Sequence, residues 1–244
     1  MMFNDSSGLT GLVQSCEQWA RLGKAQISGN TDRLKRFTQL INNNYHKIVT
    51  IILESMDECD FDDPNHGNTG FIKTYNLVAD TQTVTLPVSD KILKLKRVEV
   101  SYDGGTTWYL ASPIDVNEYG DVNTSARINS NFSQSSPFYD AQGNYVYLYP
   151  IPTANSTGGL KVWITREVDE FTTADTTQEP GIDEPFHEML AVGASRDYAL
   201  QEGLSHAADL NAVFQDYEVR LRRYYGSKQL DRRITMKATD ENYD

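Results

Sequence analysis

The chain has 244 residues with a formal charge of −12, 39% hydrophobic and 23% charged residues, a balance that suits one large or two small globular domains. The acidic excess argues against a general nucleic-acid binder, which carries a broad basic field. No apolar run approaches the roughly 18 residues of a membrane span, and the start does not read as a signal peptide.

Met1 to Thr10 is polar and reads as a loose terminus. Leu12, Val13, Cys16, Trp19, Ala20 and Leu22 then form a short helical stripe closed by Gly23. Gly29-Asn30-Thr31-Asp32 offers a turn and an N-cap for a longer helix over residues 32–57, with Phe37, Leu40, Ile41, Tyr45, Ile48, Val49 and Ile52 on one side. Asn42, Asn43 and Asn44 are poor helix formers in its middle and are expected on a wet or intersubunit face. Cys16 and Cys59 lie in helical patterns without a local partner and are expected as free thiols.

Residues 59–69 read as an exit loop, after which the period changes from helical to two. Strand patterns run through Phe71 to Val78, Thr83 to Leu86 and Ile92 to Val100, and Asp103-Gly104-Gly105 signals a hairpin into Thr107 to Leu110. Pro113 to Gly120 reads as a short helix or loop, and the Asn- and Ser-rich residues 121–137 as an exposed excursion. Strands resume at Phe138, Tyr145 to Tyr149 and Leu160 to Arg166, with turns at Gly143-Asn144 and Asn155 to Gly159. Residues 171–181 are again a loop.

Residues 183–226 carry the longest helical signal, read as two helices over 183–202 and 205–225 with a bend at Gly203. Arg220, Arg222 and Arg223 suit the negative end of the second helix dipole, and Gly226 is a plausible stop. Beyond it, residues 227–244 form a polar tail in which Leu230, Ile234 and Met236 are spaced among Arg232, Arg233 and other charges. Such a tail is either frayed or anchors in a partner's groove.

The order is therefore helices, sheet, helices. It predicts an α+β protein: a helical bundle built from both ends of the chain (1–69 and 179–226), an inserted antiparallel β-sandwich or barrel-like domain (70–178), and an extended C-terminal tail (227–244).

Catalytic and metal patterns fail on spacing. His187-Glu188 lacks the second histidine of a helical zinc hydrolase motif, and His46, His66 and His206 are isolated. Asp60, Asp62 and Asp63 open like a calcium loop, but Pro64, Gly67 and the missing terminal Glu break it. No nucleophile elbow or phosphate loop occurs, so no enzyme, cofactor or metal is expected. Tyr145, Tyr147 and Tyr149 with Trp163 invite a glycan or single-strand platform, without the basic groove that nucleic acid would need.

Several segments in this order carry a resemblance: Val84-Thr85-Leu86-Pro87, Ile92 to Val100, Asp103-Gly104-Gly105 leading to Trp108, Pro113-Ile114-Asp115, Tyr147 to Pro152, Leu160 to Ile164, Glu179 to Ile182, and Phe186 to Leu190 with Gly193-Ala194 and Tyr198-Ala199. Over roughly residues 30–225 the chain resembles the tailed-bacteriophage head-to-tail adaptor (connector) proteins that sit below the portal. The resemblance implies a structural virion protein, assembled in the host cytoplasm, that forms a ring typically of twelve subunits. Such a ring joins the capsid portal to the tail and lines the channel through which genomic DNA passes without sequence-specific binding.

The implied partners are the portal protein, neighbouring adaptor subunits, and tail or nozzle and collar or fibre proteins, with no membrane. A C-terminal extension that docks on the portal carries over by position alone, onto Arg222, Arg223, Leu230, Arg232, Arg233, Ile234 and Met236. The rival expectation is an outward-facing virion accessory or collar protein whose β domain binds carbohydrate or fibres.

Overall fold

A computed structural model of the chain describes residues 1–5, 7–56, 59–67, 70–114 and 125–233. The chain divides into two compact units. One is Met1–Asn65 together with the chain from Val168 onward, and the other is His66–Glu167. The sequence reading placed the return to the first unit after residue 178; Val168 and Phe171 already lie in its core, at 1% and 2% exposure.

The first unit contains α1 (Leu12–Trp19) and α2 (Thr31–Ser55), followed by the single turn α3 (Asp63–His66). Asn30 caps α2, its side-chain oxygen accepting from the amides of Asp32 at 3.1 Å and Arg33 at 3.0 Å. The stripe read from the sequence is the face that α2 buries: Phe37, Leu40, Ile41, Tyr45, Ile48, Val49 and Ile52. Each such side chain contributes about 1.5–3 kcal/mol on burial, so this face outweighs the weak propensity of the asparagines in the helix middle.

Those asparagines are not all on a wet face. Asn44 is fully buried and donates to the Leu40 carbonyl at 2.9 Å and to Asp197 Oδ2 at 2.9 Å. Asn42 clasps the backbone of Phe171 in both directions, at 2.9 and 3.0 Å. Only Asn43 is exposed. A buried side-chain amide with its donors placed costs little, whereas the same group unpaired would cost about 1–3 kcal/mol.

The second pair of helices is α5 (His187–Gln201) and α6 (Ala207–Arg233). A 3-10 turn, Glu184–Phe186, leads into α5. α5 is the centre of the unit, packing against α1, α2 and α6. Met189, Leu190, Ala191, Val192, Ala194 and Ala199 are all at 0% exposure, so over residues 189–195 the helix is buried on every side rather than along one stripe. At Gly193 an added Cβ would fall 2.6 Å from Asn44 Oδ1 and 2.9 Å from Phe214 Cε2. The absent side chain is what lets α2 and α6 approach α5 there. Gly203, at φ 66, makes the expected break, with the Leu204 amide donating to the Ala199 carbonyl at 2.8 Å.

The N-terminus is not loose. Phe3 is fully buried, stacks on Phe171 at 4.7 Å between ring centroids, and donates its amide to the Gln178 carbonyl at 2.8 Å. One aromatic anchor among scattered apolar residues gives no periodic signal, yet its burial fixes the segment. Cys16 and Cys59 are buried and are not joined in a disulfide.

The exit loop is also a packed element. Phe61 and Asp62 are at 0% exposure. Asp62, in the left-handed region at φ 63, accepts from Tyr45 Oη at 3.2 Å and from the Asp169 amide at 2.6 Å. Tyr45 Oη in turn accepts from the Gly181 amide, and the Asp62 amide donates to the Gly181 carbonyl at 3.1 Å. Three segments distant in sequence are thereby tied to α2.

The second unit is a seven-stranded sheet: β1 (Ile72–Leu77), β2 (Thr83–Thr85), β3 (Ile92–Val100), β4 (Tyr109–Pro113), β5 (Phe138–Gln142), β6 (Tyr145–Tyr149) and β7 (Ser156–Arg166). Its order is β1-β7-β3-β4-β5-β6-β2, and β1 approaches β2, so the sheet nearly closes into a barrel. All pairs are antiparallel except β4 with β5, which is parallel. Alternation places Val98, Val100, Val146, Leu148, Leu160, Val162 and Ile164 inside. β3 and β4 form the expected antiparallel hairpin, joined by a loop over residues 101–108. Asp103 organises it, accepting from Ser101 Oγ at 2.8 Å and the Thr107 amide at 2.8 Å, with Gly104 and Gly105 at φ 74 and 91.

Part of the excursion expected at 121–137 is packed. Helix α4 (Ser125–Asn131) brings Ile128 and Phe132 into a second apolar cluster with Ile114, Tyr149 and Ile151. The expectation for Asp115 to Gly120, and that for 121–124, lie outside the described residues.

Candidate docking surface

The residues proposed from the sequence for docking start on α6. Leu210, Phe214, Leu221 and Tyr225 form its buried stripe, at 4%, 5%, 0% and 1% exposure. The opposite face is charged and solvated. Arg220 pairs with Asp216 at 2.6 Å one turn back, and Arg222 with Glu218 at 3.0 Å and with Glu54 of α2 at 3.0 Å. These exposed pairs are worth at most about 1 kcal/mol each, so they orient the guanidinium groups more than they hold the fold. Arg223 is exposed.

Gly226 does not stop the helix. Tyr224 and Tyr225 pack against Phe186 with centroids 5.3 and 6.1 Å away, and Tyr225 Oη accepts from the Asp183 amide at 3.2 Å. Lys228 Nζ bonds Asp183 Oδ2 at 2.8 Å and lies 4.7 Å over the Tyr224 ring. Burial disfavours the Lys228 charge, but Asp183 and Tyr224 hold its pKa above the ordinary lysine value. This latch carries the helix through a glycine that would cost about 1 kcal/mol relative to alanine. It is the part of the site the sequence reading missed, although Tyr224, Tyr225 and Lys228 continue the three-and-four spacing of Phe214, Tyr217 and Leu221.

The helix accordingly runs on to Arg233. Leu230, Arg232 and Arg233 lie on its last turns, while Ile234 and Met236 lie outside the described residues. Among the described residues, then, the structure gathers Arg222 with Glu54 and Glu218 and leaves Arg223 solvated.

Elsewhere, His187 is held by groups of the fold itself. His187 is 3% exposed, its Nε2 lies 2.8 Å from the Ile182 carbonyl and its Nδ1 2.8 Å from the Met1 nitrogen. Burial lowers its pKa from 6.5, with the Ile182 carbonyl acting the other way. A folded pKa below the unfolded one means the unfolded chain takes up the extra proton, so stability is complete above pH 6.5 and falls as the pH drops through that value. We expect the urea midpoint to decline as the pH falls below 6.5, starting above the range in which Asp5, Asp103 and Asp197, whose pKa values are lowered, give up their contribution. His187→Gln should flatten the slope; an unchanged slope would remove His187 as its source.

Among the described residues no group of three or more His, Cys, Asp or Glu could hold a metal ion, and no helix is long and apolar enough to cross a membrane. The aromatic platform is not assembled. Tyr149 is buried in the cluster around Phe132, and β7, which carries Trp163, is separated from β6 in the sheet order. Trp163 is covered instead by Arg97 at 5.1 Å, and Lys161 Nζ lies 3.9 Å over Trp108.

A two-unit chain of this kind, with the β unit inserted in the sequence between α2 and α5, is matched by the model of the SU10 adaptor protein family over residues 18–240. The chain belongs to the SU10 adaptor protein family. The adaptor is thus a bacteriophage structural protein of the virion, in a family that is no enzyme class and that interacts with portal and tail components. No curated protein matches the chain. The match covers both units and runs past Arg233, so it includes the whole of α6 on which the docking residues begin.

Proposed function

We propose that the adaptor is one subunit of an oligomeric ring, typically of twelve, that joins the capsid portal to the tail and lines the DNA exit channel. The family match over residues 18–240 carries this reading. In it, the helical unit contacts the portal and neighbouring adaptor subunits, and the β unit faces the tail, nozzle, collar or fibre proteins. Arg222, Arg223, Leu230, Arg232, Arg233, Ile234 and Met236 form the portal-docking end, continued by the tail to residue 244.

The acidic charge of −12 suits a channel that lets DNA pass. A negative wall repels the phosphate backbone, whereas a basic one would grip it. The rival reading of a carbohydrate-binding accessory protein loses its chief support with the burial of Tyr149 and the covering of Trp163.

Light scattering of the purified adaptor with and without portal protein tests the ring. Addition of portal should raise the adaptor mass on the complex to a fixed whole-number multiple of 27.6 kDa. An adaptor that neither self-associates nor binds portal in either condition would exclude the reading.

A further inference from the structure

The outer face of the β unit carries cations laid over indoles. Val98, Val100, Leu160, Val162 and Ile164 fill the inside of the nearly closed barrel, so the residues that alternate with them along β3 and β7 point outward. The register sets these in two rows. Leu110 of β4, Glu99 of β3, Lys161 of β7 and Thr74 of β1 stand side by side in one, and Arg97, Trp163 and Ile72 in the next. Trp108, just before β4, joins the same face. Lys161 Nζ lies 3.9 Å from its ring centroid and 5.7 Å from that of Trp163, and the Arg97 guanidinium carbon lies 5.1 Å from the Trp163 centroid. The Trp108 indole is fixed in turn, its Nε1 donating to the Gly105 carbonyl at 3.1 Å.

The two cations differ in what they have left to give. Arg97 is bound to the buried Glu99. Lys161 has no such partner: among the described residues no carboxylate pairs with its ammonium, and Glu99, opposite it in register, is taken by Arg97. Contact with the indole faces holds an ammonium in place without neutralising it. In a chain of net charge −12 it is a positive charge kept at a fixed point. The face around it is apolar, with Leu110 59% and Ile72 38% exposed and both indoles half-buried. Tryptophan and exposed aliphatic side chains gathered on one sheet face mark an interaction surface.

The same geometry selects the occupant. The cations take up indole faces on which a sugar ring or a base would stack. A run of phosphates is repelled by the acidic chain. The ammonium that remains is complementary to a carboxylate, and Leu110 and Ile72 to apolar side chains beside it.

We propose that the outer face of β1, β7, β3 and β4 docks a segment of a partner polypeptide in which one carboxylate pairs with Lys161 and neighbouring aliphatic side chains pack on Leu110, Trp108 and Ile72. The fixed charge sets the register of docking and the apolar contacts supply the burial. The surface lies wholly on the β unit, and it stands whether or not the ring forms or the C-terminal end docks on the portal.

The indole N–H resonances of the isotope-labelled full-length protein test this, titrated with an eight-residue peptide alternating leucine and glutamate. The signals of Trp108 and Trp163 should shift, while that of Trp19, on the other unit with its Nε1 bound to Glu188 at 3.0 Å, should stay. The glutamine-for-glutamate peptide should bind at least tenfold more weakly. Lys161→Met, which keeps an unbranched stem over the indoles and removes the charge, should abolish that preference. Leu110→Ser, at an exposed position, should weaken binding of both peptides without altering the unfolding midpoint. No shift at Trp108 and Trp163, equal binding of the two peptides, or a preference that survives Lys161→Met would each overturn the proposal. So would tighter binding of an eight-residue oligothymidylate at the same signals, which would make the surface one for nucleic acid, or self-association that the peptide competes away, which would make the occupant a second copy.

Discussion

Asp62→Ala should lower the unfolding free energy by about 2–6 kcal/mol, because two buried donors, the Asp169 amide and the Tyr45 hydroxyl, lose their acceptor and each such loss costs about 1–3 kcal/mol. Alanine would also occupy a backbone conformation at φ 63 that aspartate and asparagine adopt more readily. Against a total stability of about 5–15 kcal/mol this is a large fraction.

Asp62→Asn keeps the size and tolerates the left-handed backbone but turns an amide nitrogen toward one of the donors, so it should fall between the two. Tyr45→Phe removes the acceptor of the Gly181 amide, and substitution at Gly181 itself has no room, since an added Cβ would come 2.1 Å from the Asp62 nitrogen. The two single variants should be strongly non-additive in a double-mutant cycle, as members of one network. Urea unfolding reads all of these. An Asp62→Ala protein within about 0.5 kcal/mol of the parent, the ordinary effect of a surface substitution, would show that the network does not hold the segments together.

The same residues show what a sequence can and cannot display. The face of α2 and the alternation of β6 and β7 were legible because many side chains repeat one environment, and periodicity is the signature of a continuous surface. Gly203 was legible because a left-handed break has a residue of its own. Phe3, Phe61 and Asp62 were not, since each is a single anchor whose burial comes from segments far along the chain: Phe3 rests on Phe171, and Asp62 on Tyr45, Asp169 and Gly181.

Asn44 misled for a related reason. Helix propensity ranks asparagine low, but its partner Asp197 lies on α5, 153 positions away. At the docking end the same logic applied to Gly226, where propensity and capping statistics favour a stop and the Asp183 latch on Tyr225 and Lys228 carries the helix onward.

That latch changes what a tail truncation should do. Removing residues 227–244 deletes Lys228 and its bond to Asp183, and should cost up to about 1 kcal/mol of stability, the value of a partly exposed ion pair. Removing residues 234–244 alone leaves the latch and the buried Tyr225 in place, and should leave the thermal midpoint nearly unchanged. Portal binding should respond to both. If Ile234 and Met236 each bury one side chain on the portal, the shorter deletion should weaken binding by a few kcal/mol, from about 1.5–3 kcal/mol per side chain less the cost of ordering the segment.

Charge reversal at Arg232 and Arg233 should weaken binding too, and its effect should shrink as salt is raised, because exposed charges are screened over a Debye length of about 8 Å at physiological ionic strength. Arg222 is the internal comparison. Its guanidinium is already held by Glu54 and Glu218, so Arg222→Ala should reduce portal affinity less than loss of Arg233, unless docking exchanges those partners. Titrating portal with the full chain, the 234–244 deletion and the 227–244 deletion side by side decides the matter. Equal affinities for all three would take the tail out of the interface and move the docking surface to the exposed faces of α2 and α6, where Arg220, Arg222 and Arg223 would then be the residues to reverse.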